Sequence, residues 1–476
     1  GCEERPAPWD ARVRLKIAYT MHPSFVLRQP AYREVFRHDL RKAFRFFEGR
    51  LDWNEPKISI SAAPADVRKY LSLFAQVGQA VAYDLETDGI DTRTCNVRCI
   101  SLSNEDHAIV IPFLGINGES LIGQREYVEV KQLLREFLFN PPVPLIGHNA
   151  GQFDRLVCEQ WLGTTPTLAA DTLIVHLLAD NELPHNLGFV GSFYTDNPEA
   201  WKADHTATEA QSDRDLHIYC GKDACVTARI ARPLAQDVRK RSQQHLLGRE
   251  HLLQQLGTLM QRTGMEVDQE RVLEHHVLLD QRARELLEKC RENISPTFNP
   301  QSTRQLGALL FDDWKLPPHH YSEKTGDPST DDATLRSMIT QYGLDEEKIR
   351  FLRTVRAHRK TSKLLGTYIK PLFLSKVNRS HPSYNRLPVT GRYSSSNPNL
   401  QNVPYSLRDI YIAKPGHVLI GADMDQLEMR LIAEEADAKH SLHVVNGGLD
   451  PHNETMEIVY GKGIWKLEGA PEERIL

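Results

Sequence analysis

Between residues 81 and 113 three apolar runs follow one another with short polar breaks, VAYDLETDG, VRCISLSN and HAIVIPF. Short apolar runs bounded by turn residues read as strands. A fourth, PVPLIGHN, leads into a helical stretch from Phe153. From about 66 to 235 strands alternate with helical stretches, the pattern of an α/β domain. Asp84 and Glu86 lie one residue apart on the first strand, so they share a face and can point into one pocket. Neighbouring carboxylates are costly to ionise together unless a cation sits between them, and hard oxygen ligands suit Mg2+ or Mn2+. Two such ions can activate a water and stabilise the leaving 3′ oxygen of a phosphodiester. An isolated Asp-x-Glu carries little weight, since many strands end that way in a polar turn. Two further acids, Asp154 in LIGHNAGQFD and Asp223 in YCGKDACVT, strengthen it.

Elsewhere the organisation is different. Residues 1 to about 50 hold a strand-like RLKIAYT, a turn at His22-Pro23-Ser24 and a helix through YREVFRHDLRKAFRFFE; DWNEPKISISA reads as a linker. Residues 236 to about 375 are almost wholly helical by period. After a turn region at 381–406, HVLIGADMD reads as a strand and QLEMRLIAEEA as a helix. The chain has 476 residues, room for several domains, and a net charge of -5 that hides a block. From Arg350 to Arg408 there are twelve Lys or Arg and no Asp or Glu. A stretch of one sign repels itself unless a polyanion neutralises it, which points to nucleic acid over a merely solvated face. No window has the roughly 18 to 20 apolar residues of a membrane helix, and GCEERPAPWD has no signal-peptide core, so no membrane partner and no export are expected. The seven cysteines are odd in number and scattered; Cys95 and Cys99 lack a partner pair, so reduced cytoplasmic thiols are simpler than zinc.

DLETDG, HNAGQFD and Tyr219-x-x-x-Asp223 together resemble the three motifs of the DnaQ-like proofreading 3′–5′ exonucleases, with Thr87, Gly89, Asn149 and Phe153 also matching. The Asp171-Thr172 pair resembles a helix start these domains carry. The resemblance implies a ribonuclease H-like mixed sheet over 66–235. It also implies that Asp84, Glu86 and Asp223 bind one metal ion, that Asp154 helps hold a second, and that Glu86 and Tyr219 orient the attacking water. Tyr219 and Asp223 are four apart on a helix and share a face. Taken singly, Tyr219 reads equally as helix packing and Asp154 as an acid favoured near a helix N-terminus. Asp88, His148 and His176 read as loop or packing residues.

From about 260 a series of motifs, from GMEVDQERV through TGRYSSSNPNLQNVP to VLIGADMDQLEMR, resembles those of the family A DNA polymerases, of bacterial and phage type. GMEVDQERV, FNPQSTRQLGALLF and KTGDPSTDDATL resemble the thumb and its approach, and RAHRKTSKLLGTYI the DNA-tracking segment that comes next. TGRYSSSNPNLQNVP, Thr390 to Pro404, resembles the primer-template contact segment nearly residue for residue. The resemblance implies DNA contacts by Lys363, Thr367, Thr390, Arg392, Ser394, Ser395, Asn399, Gln401 and Asn402. VLIGADMDQLEMR resembles the first palm motif, which makes Asp423 a catalytic metal ligand and Gln426, Glu428 and His452 nucleotide-binding residues. Met424 and Asp425 stand where the family has tyrosine and serine, and Asp425 adds a carboxylate beside the site.

The expected architecture is therefore an α/β exonuclease domain at 66–235, a helical thumb at 236–375 and an incomplete α+β palm with the start of the fingers at 376–476. Residues 51–65 form the linker, and 1–50 a remnant that resembles a uracil-DNA glycosylase domain around His22, Pro23 and Ser24. Neither a triphosphate-gripping fingers helix nor a second palm aspartate follows His452. The chain alone is thus expected to hydrolyse 3′ DNA ends without polymerising, taking deoxynucleoside triphosphates only if another chain supplies the missing half. Its expected partners are primer-template and single-stranded 3′ ends, in the cytoplasm of a bacterial or phage-infected cell. The alternatives are a stand-alone 3′–5′ exoribonuclease and a catalytically silent DNA-binding scaffold.

Overall fold

The computed structural model describes residues 2–8, 10–197, 212–292, 294–318, 320–322 and 326–461. It divides into two compact units, Gly1–Ile412 and Ala413–Leu476. The first begins with an antiparallel hairpin, β1 (Cys2–Ala7) and β2 (Asp10–Ala18), then helices α1 (Pro23–Arg28) and α2 (Arg33–Phe47). His22 caps α1, its Nδ1 accepting from the Ser24 N–H at 3.1 Å. Far from hanging free, α2 docks on residues 192–196. Buried Lys42 donates to the carbonyls of Ser192 and Thr195 at 2.9 and 3.0 Å, and Arg45 makes a bidentate pair with Asp196 at 2.6 and 2.7 Å. Burial pulls the Lys42 ammonium down to about 8, so those two carbonyls offset a real desolvation cost.

Next come β3 (Lys57–Ile60), α3 (Pro64–Val77), β4 (Val81–Thr87), β5 (Val97–Ser103), β6 (His107–Pro112), α4 (Gln124–Phe139), β7 (Leu145–Gly147), α5 (Phe153–Leu162), β8 (Ala170–Asp171), α6 (Thr172–Ala179), α7 (Leu187–Tyr194) and α8 (Asp213–Lys240). The six strands form one sheet in the order β3-β6-β5-β4-β7-β8. The β4–β5 and β5–β6 pairs are antiparallel; β3–β6, β4–β7 and β7–β8 are parallel. This is the mixed ribonuclease H-like sheet the motifs implied. Along β4 the alternation sorts the faces: Val81, Tyr83 and Leu85 join the core beneath α3 and α4, while Ala82 meets Ala224 and Ala228 of α8.

Two boundaries differ from the sequence reading. Lys57–Ile60, expected inside a linker, is the edge strand β3, because Ile58 and Ile60 alternate and β6 offers an open parallel edge. Likewise α8 runs unbroken through residue 235 to Lys240, despite Pro233, so no boundary falls there.

The helical part holds α9 (Leu247–Thr263), a short strand β9 (Met265–Val267), α10 (Gln269–Glu292), α11 (Thr303–Gly307), α12 (Asp332–Gln341), α13 (Glu346–Leu364) and α14 (Lys370–Ser375). Leu306, Leu310, Leu335, Met338, Leu352 and Val355 close its core. The KTGDPST stretch begins at residues 324 and 325, which lie outside the described residues. Then β10 (Arg379–Ser380) and β13 (Tyr411–Ile412) flank β9, and β11 (Ser383–Asn385) pairs antiparallel with β12 (Ser394–Ser396).

The second unit contains α15 (Leu427–Glu435), α16 (Lys439–Asn446) and α17 (Pro451–Tyr460) around Ala433, Val444 and Val445. The strand expected in HVLIGADMD does not form. Val418, Leu419 and Ile420 are 79%, 57% and 87% exposed, and the segment pairs with no strand among the described residues. A strand is held by a neighbour's backbone groups, so apolar sequence without such a neighbour stays irregular.

Candidate functional site

Asp84 and Glu86 face α8 from β4, and Asp223 faces them from the helix. One carboxylate oxygen from each lies within 4.8 Å of the others. Three features of the sequence bring α8 this close. Ala82, Ala224 and Ala228 keep the strand–helix contact thin. Gly221 leaves room where a Cβ would stand 2.9 Å from Ile58 and 3.0 Å from Val110. The Ser101 hydroxyl, on β5 opposite Asp84, donates to the Cys220 carbonyl at 2.8 Å and pins the helix in register. Asp223 is 3% exposed, while Asp84 and Glu86 are half-buried. Three oxygens with the sheet on one side and α8 on the other fit a hard divalent cation, whose charge would relieve their mutual repulsion.

Asp154 comes from a different element. It lies in the first turn of α5 at 8% exposure. Burial pushes its carboxyl up to about 7; the charge of Asp171 adds to this, while backbone hydrogen bonds, one from Leu85, oppose it. The Leu85 contact puts the Asp154 carboxyl against β4, at the residue between Asp84 and Glu86. Tyr219 sits one turn before Asp223 on α8, half-buried at the edge of the core formed by Val175, Val190 and Val226. Asp88 accepts from the Asn96 N–H and side-chain amide at 2.7 and 2.8 Å, shaping the turn after β4. His148 bonds Thr172 and the His185 carbonyl. His176 is buried against His185, and burial lowers it to about 3. Each of the three is thus tied to neighbouring chain.

Asp171 does more than start a helix. It caps α6 through the Leu173 N–H at 3.0 Å, and also accepts from Asn149 at 2.8 Å, Gly151 at 3.0 Å and the Gln254 amide at 2.7 Å. Nothing in the sequence pattern singles out Gln254, which comes from a helix more than eighty residues later.

The residues expected to contact DNA divide. Lys363 and Thr367 are exposed on α13 and the turn after it, and Thr390, Arg392, Gln401 and Asn402 are exposed along the loop that includes β12. Ser395 is instead buried, its hydroxyl donating to the Pro398 carbonyl and accepting from Leu400. Ser394 donates to Asn385, Asn399 caps Gln401, and Gln401 donates to the Tyr393 carbonyl. Much of the order in this segment therefore builds the loop itself. The basic block divides in the same way. Arg356, Arg379 and Arg386 pair with Asp332, Glu266 and Glu250 from outside it. Arg350, Arg353, Lys360 and Lys363 are left exposed along one side of α13.

In the second unit Asp423 is exposed on irregular chain and joins no cluster of three metal-capable side chains among the described residues. Gln426 precedes α15 in the left-handed region at φ 51°, Glu428 is exposed in its first turn, and His452 is exposed near the start of α17, which Asp450 caps. Arg430 reaches back to the Asp425 carbonyl at 2.9 Å.

Comparison with known proteins gives two successive family matches. Residues 60–239 match the 3′–5′ exonuclease family and residues 269–474 match DNA polymerase family A. Residues 269–474 thus belong to the family A DNA polymerases, and the part before them to the 3′–5′ exonucleases. Relatives in this family include DNA polymerase I of Synechocystis sp., 28% identical over 409 residues, and that of Pseudomonas aeruginosa, 28% over 426. These alignments take in 80% and 82% of this chain but only 40% and 44% of the relatives, so the chain spans less than half their length. A solved structure, the POL domain of Pol1 from M. smegmatis in complex with DNA primer-template and dNTP, superposes with a TM-score of 0.64 at 21% identity. It covers 84% of this chain and 66% of that one, and establishes the shared fold. Domains of both matched families generally use divalent metals, and Asp84, Glu86 and Asp223 form a candidate cluster for one. None of the helices, among the described residues, is long and apolar enough to cross a membrane.

Proposed function

We propose that this chain trims 3′ ends of DNA by divalent-cation-dependent hydrolysis, and holds primer-template through the basic side of α13 and the 390–404 loop. The observation that carries this is the approach of three carboxylate oxygens to within 4.8 Å of one another on β4 and α8. In this reading Asp84, Glu86 and Asp223 hold one Mg2+ or Mn2+, and Asp154 contributes to a second. When bound, such ions supply a more acidic water and charge stabilisation for the leaving 3′ oxygen. The chain's own groups do the rest. Glu86 and Tyr219 orient the water. Asp154, drawn toward its protonated form by burial, would be returned to its carboxylate form by a nearby positive charge.

DNA is favoured over RNA as substrate by the polymerase-family match over residues 269–474. The cytoplasm of a bacterial cell is the setting that reading implies. A 5′-labelled single-stranded DNA and its RNA counterpart, offered to the purified chain with Mg2+, test it. DNA should shorten from the 3′ end, EDTA should stop it, and Asp84→Ala should abolish it. Degradation that survives Asp84→Ala, or that is confined to RNA, would refute it.

A further inference from the structure

Helix α9 is built inside out. Its outward stripe is Leu252, Leu256 and Leu259, at 65%, 46% and 47% exposure. Its buried stripe is Glu250, Gln254, Gly257 and Thr258, spaced at helical repeats. Buried polar side chains are tolerated only when hydrogen-bonded, so what these reach is informative. The Gln254 amide donates to Asp171 at 2.7 Å, His251 Nε2 accepts from the Asp171 N–H at 2.9 Å, and the Thr258 hydroxyl donates to the Gly151 carbonyl at 2.7 Å. All three grip one feature, the turn Asn149–Gly151 and its anchor Asp171.

That turn needs holding. Asn149 is in the left-handed region at φ 60°, and its N–H and that of Gly151 both end on the Asp171 carboxylate. Asp171 is fully buried, so the direction of its carboxylate depends on its donors, and the Gln254 amide is a side-chain donor among backbone ones. Three residues after Gly151, Asp154 enters the first turn of α5, which is tied to the same turn by the Arg155 N–H to the Ala150 carbonyl at 3.0 Å. On the opposite flank α9 carries the β11–β12 hairpin. Glu250 takes Arg386 at 2.9 Å, and a Cβ on Gly257 would meet the Tyr384 carbonyl at 3.2 Å.

We propose that Gln254 is a positioning residue for the exonuclease: through Asp171 it fixes the Asn149–Gly151 turn, and so sets the Asp154 carboxylate for the second divalent cation. The inference rests on the exonuclease reading given above. Its test is a Mn2+ titration of the full chain followed by the electron paramagnetic resonance of free Mn2+, with amide exchange at Asn149 and Gly151 read alongside. Gln254→Met keeps the shape and removes the donor. It should weaken the weaker of two Mn2+ sites by about tenfold, as loss of an outer-shell partner commonly does, and speed both amides, while the tighter site is unchanged. Thr258→Val, a milder change on the same turn, should weaken the same site less and carries the test if Gln254→Met fails to fold. Unchanged weak-site affinity and exchange in both folded variants would overturn the proposal. Asp84→Ala separates the two questions, because it should remove the tighter site and cleavage together. If it spares both, the exonuclease reading itself has failed; if it removes both while Gln254→Met and Thr258→Val behave as wild type, only the positioning role has.

Discussion

VAYDLETDG and VLIGADMDQLEMR look alike as text: an apolar run ending in spaced acids, then a turn or helix. In the folded chain they have opposite fates. The first is a strand inside a six-stranded sheet, hydrogen-bonded on both edges and crossed by α8, and its acids meet a third. The second is irregular, its apolar residues face solvent, and Asp423 is exposed. An acidic strand becomes a site only when neighbours supply backbone pairing and a further carboxylate; the local sequence does neither.

The sharpest way to break this contrast is hydrogen exchange. Amides of 81–85 should be protected by upwards of ~10⁴, as core strands are, and those of 418–423 barely at all. Strong protection at 418–423 would show that the second segment forms a strand after all. Next in size is activity. Asp84→Ala should lower DNA degradation by about 10³-fold or more, since several kcal/mol of metal-derived stabilisation go with it. Asp423→Ala should leave the same assay unchanged, and a comparable loss there would merge the two regions.

Smaller is a stability effect at Asp154. Burial pushes its carboxyl up to about 7 in the folded chain, against an ordinary 3.8 for the free side chain. Between those values the unfolded chain has released a proton that the folded one keeps, so stability falls as pH rises through that window and stays lowered above it. In EDTA, Asp154→Asn should therefore raise the melting temperature at about pH 8 and leave it unchanged at about pH 3. The gain in stability is at most ~4 kcal/mol, at ~1.4 kcal/mol per pH unit of the window. Equal melting temperatures for variant and wild type at both pH values would remove the buried-acid account. Smallest is the basic side of α13. Lys360→Ala with Lys363→Ala should weaken duplex DNA binding and lower the salt slope by about 0.9 for each phosphate no longer neutralised, with melting unaffected.

Much of the fold is legible in the sequence. The strands from Val81 to Pro112, the helix beginning at Phe153 and the shared face of Tyr219 and Asp223 all follow from local periodicity, and the structure keeps them. The rest depends on distant partners. Lys57–Ile60 reads as linker because its mate β6 lies about fifty residues later in the chain. HVLIGADMD reads as strand because propensity says nothing about whether a partner is at hand. On α9 the alternation of leucines with Glu250, Gln254 and Thr258 is visible, but the ordinary rule buries the leucines; only the carbonyl of Gly151 and the carboxylate of Asp171 explain the reverse. Ser395 and Asn399 match a DNA-contact motif, yet their side chains hold their own loop. Asp154 enters from α5, and no local pattern shows that its carboxyl reaches β4 at Leu85, between Asp84 and Glu86.

The most direct measurement is a crystal of the chain soaked in Mn2+ and examined by anomalous scattering. A peak bounded by carboxylate oxygens of Asp84, Glu86 and Asp223, absent from Asp84→Ala, is the expected result. Density at Asp423 with none on β4, or side chains at 84, 86 and 223 turned away from one another, would contradict it.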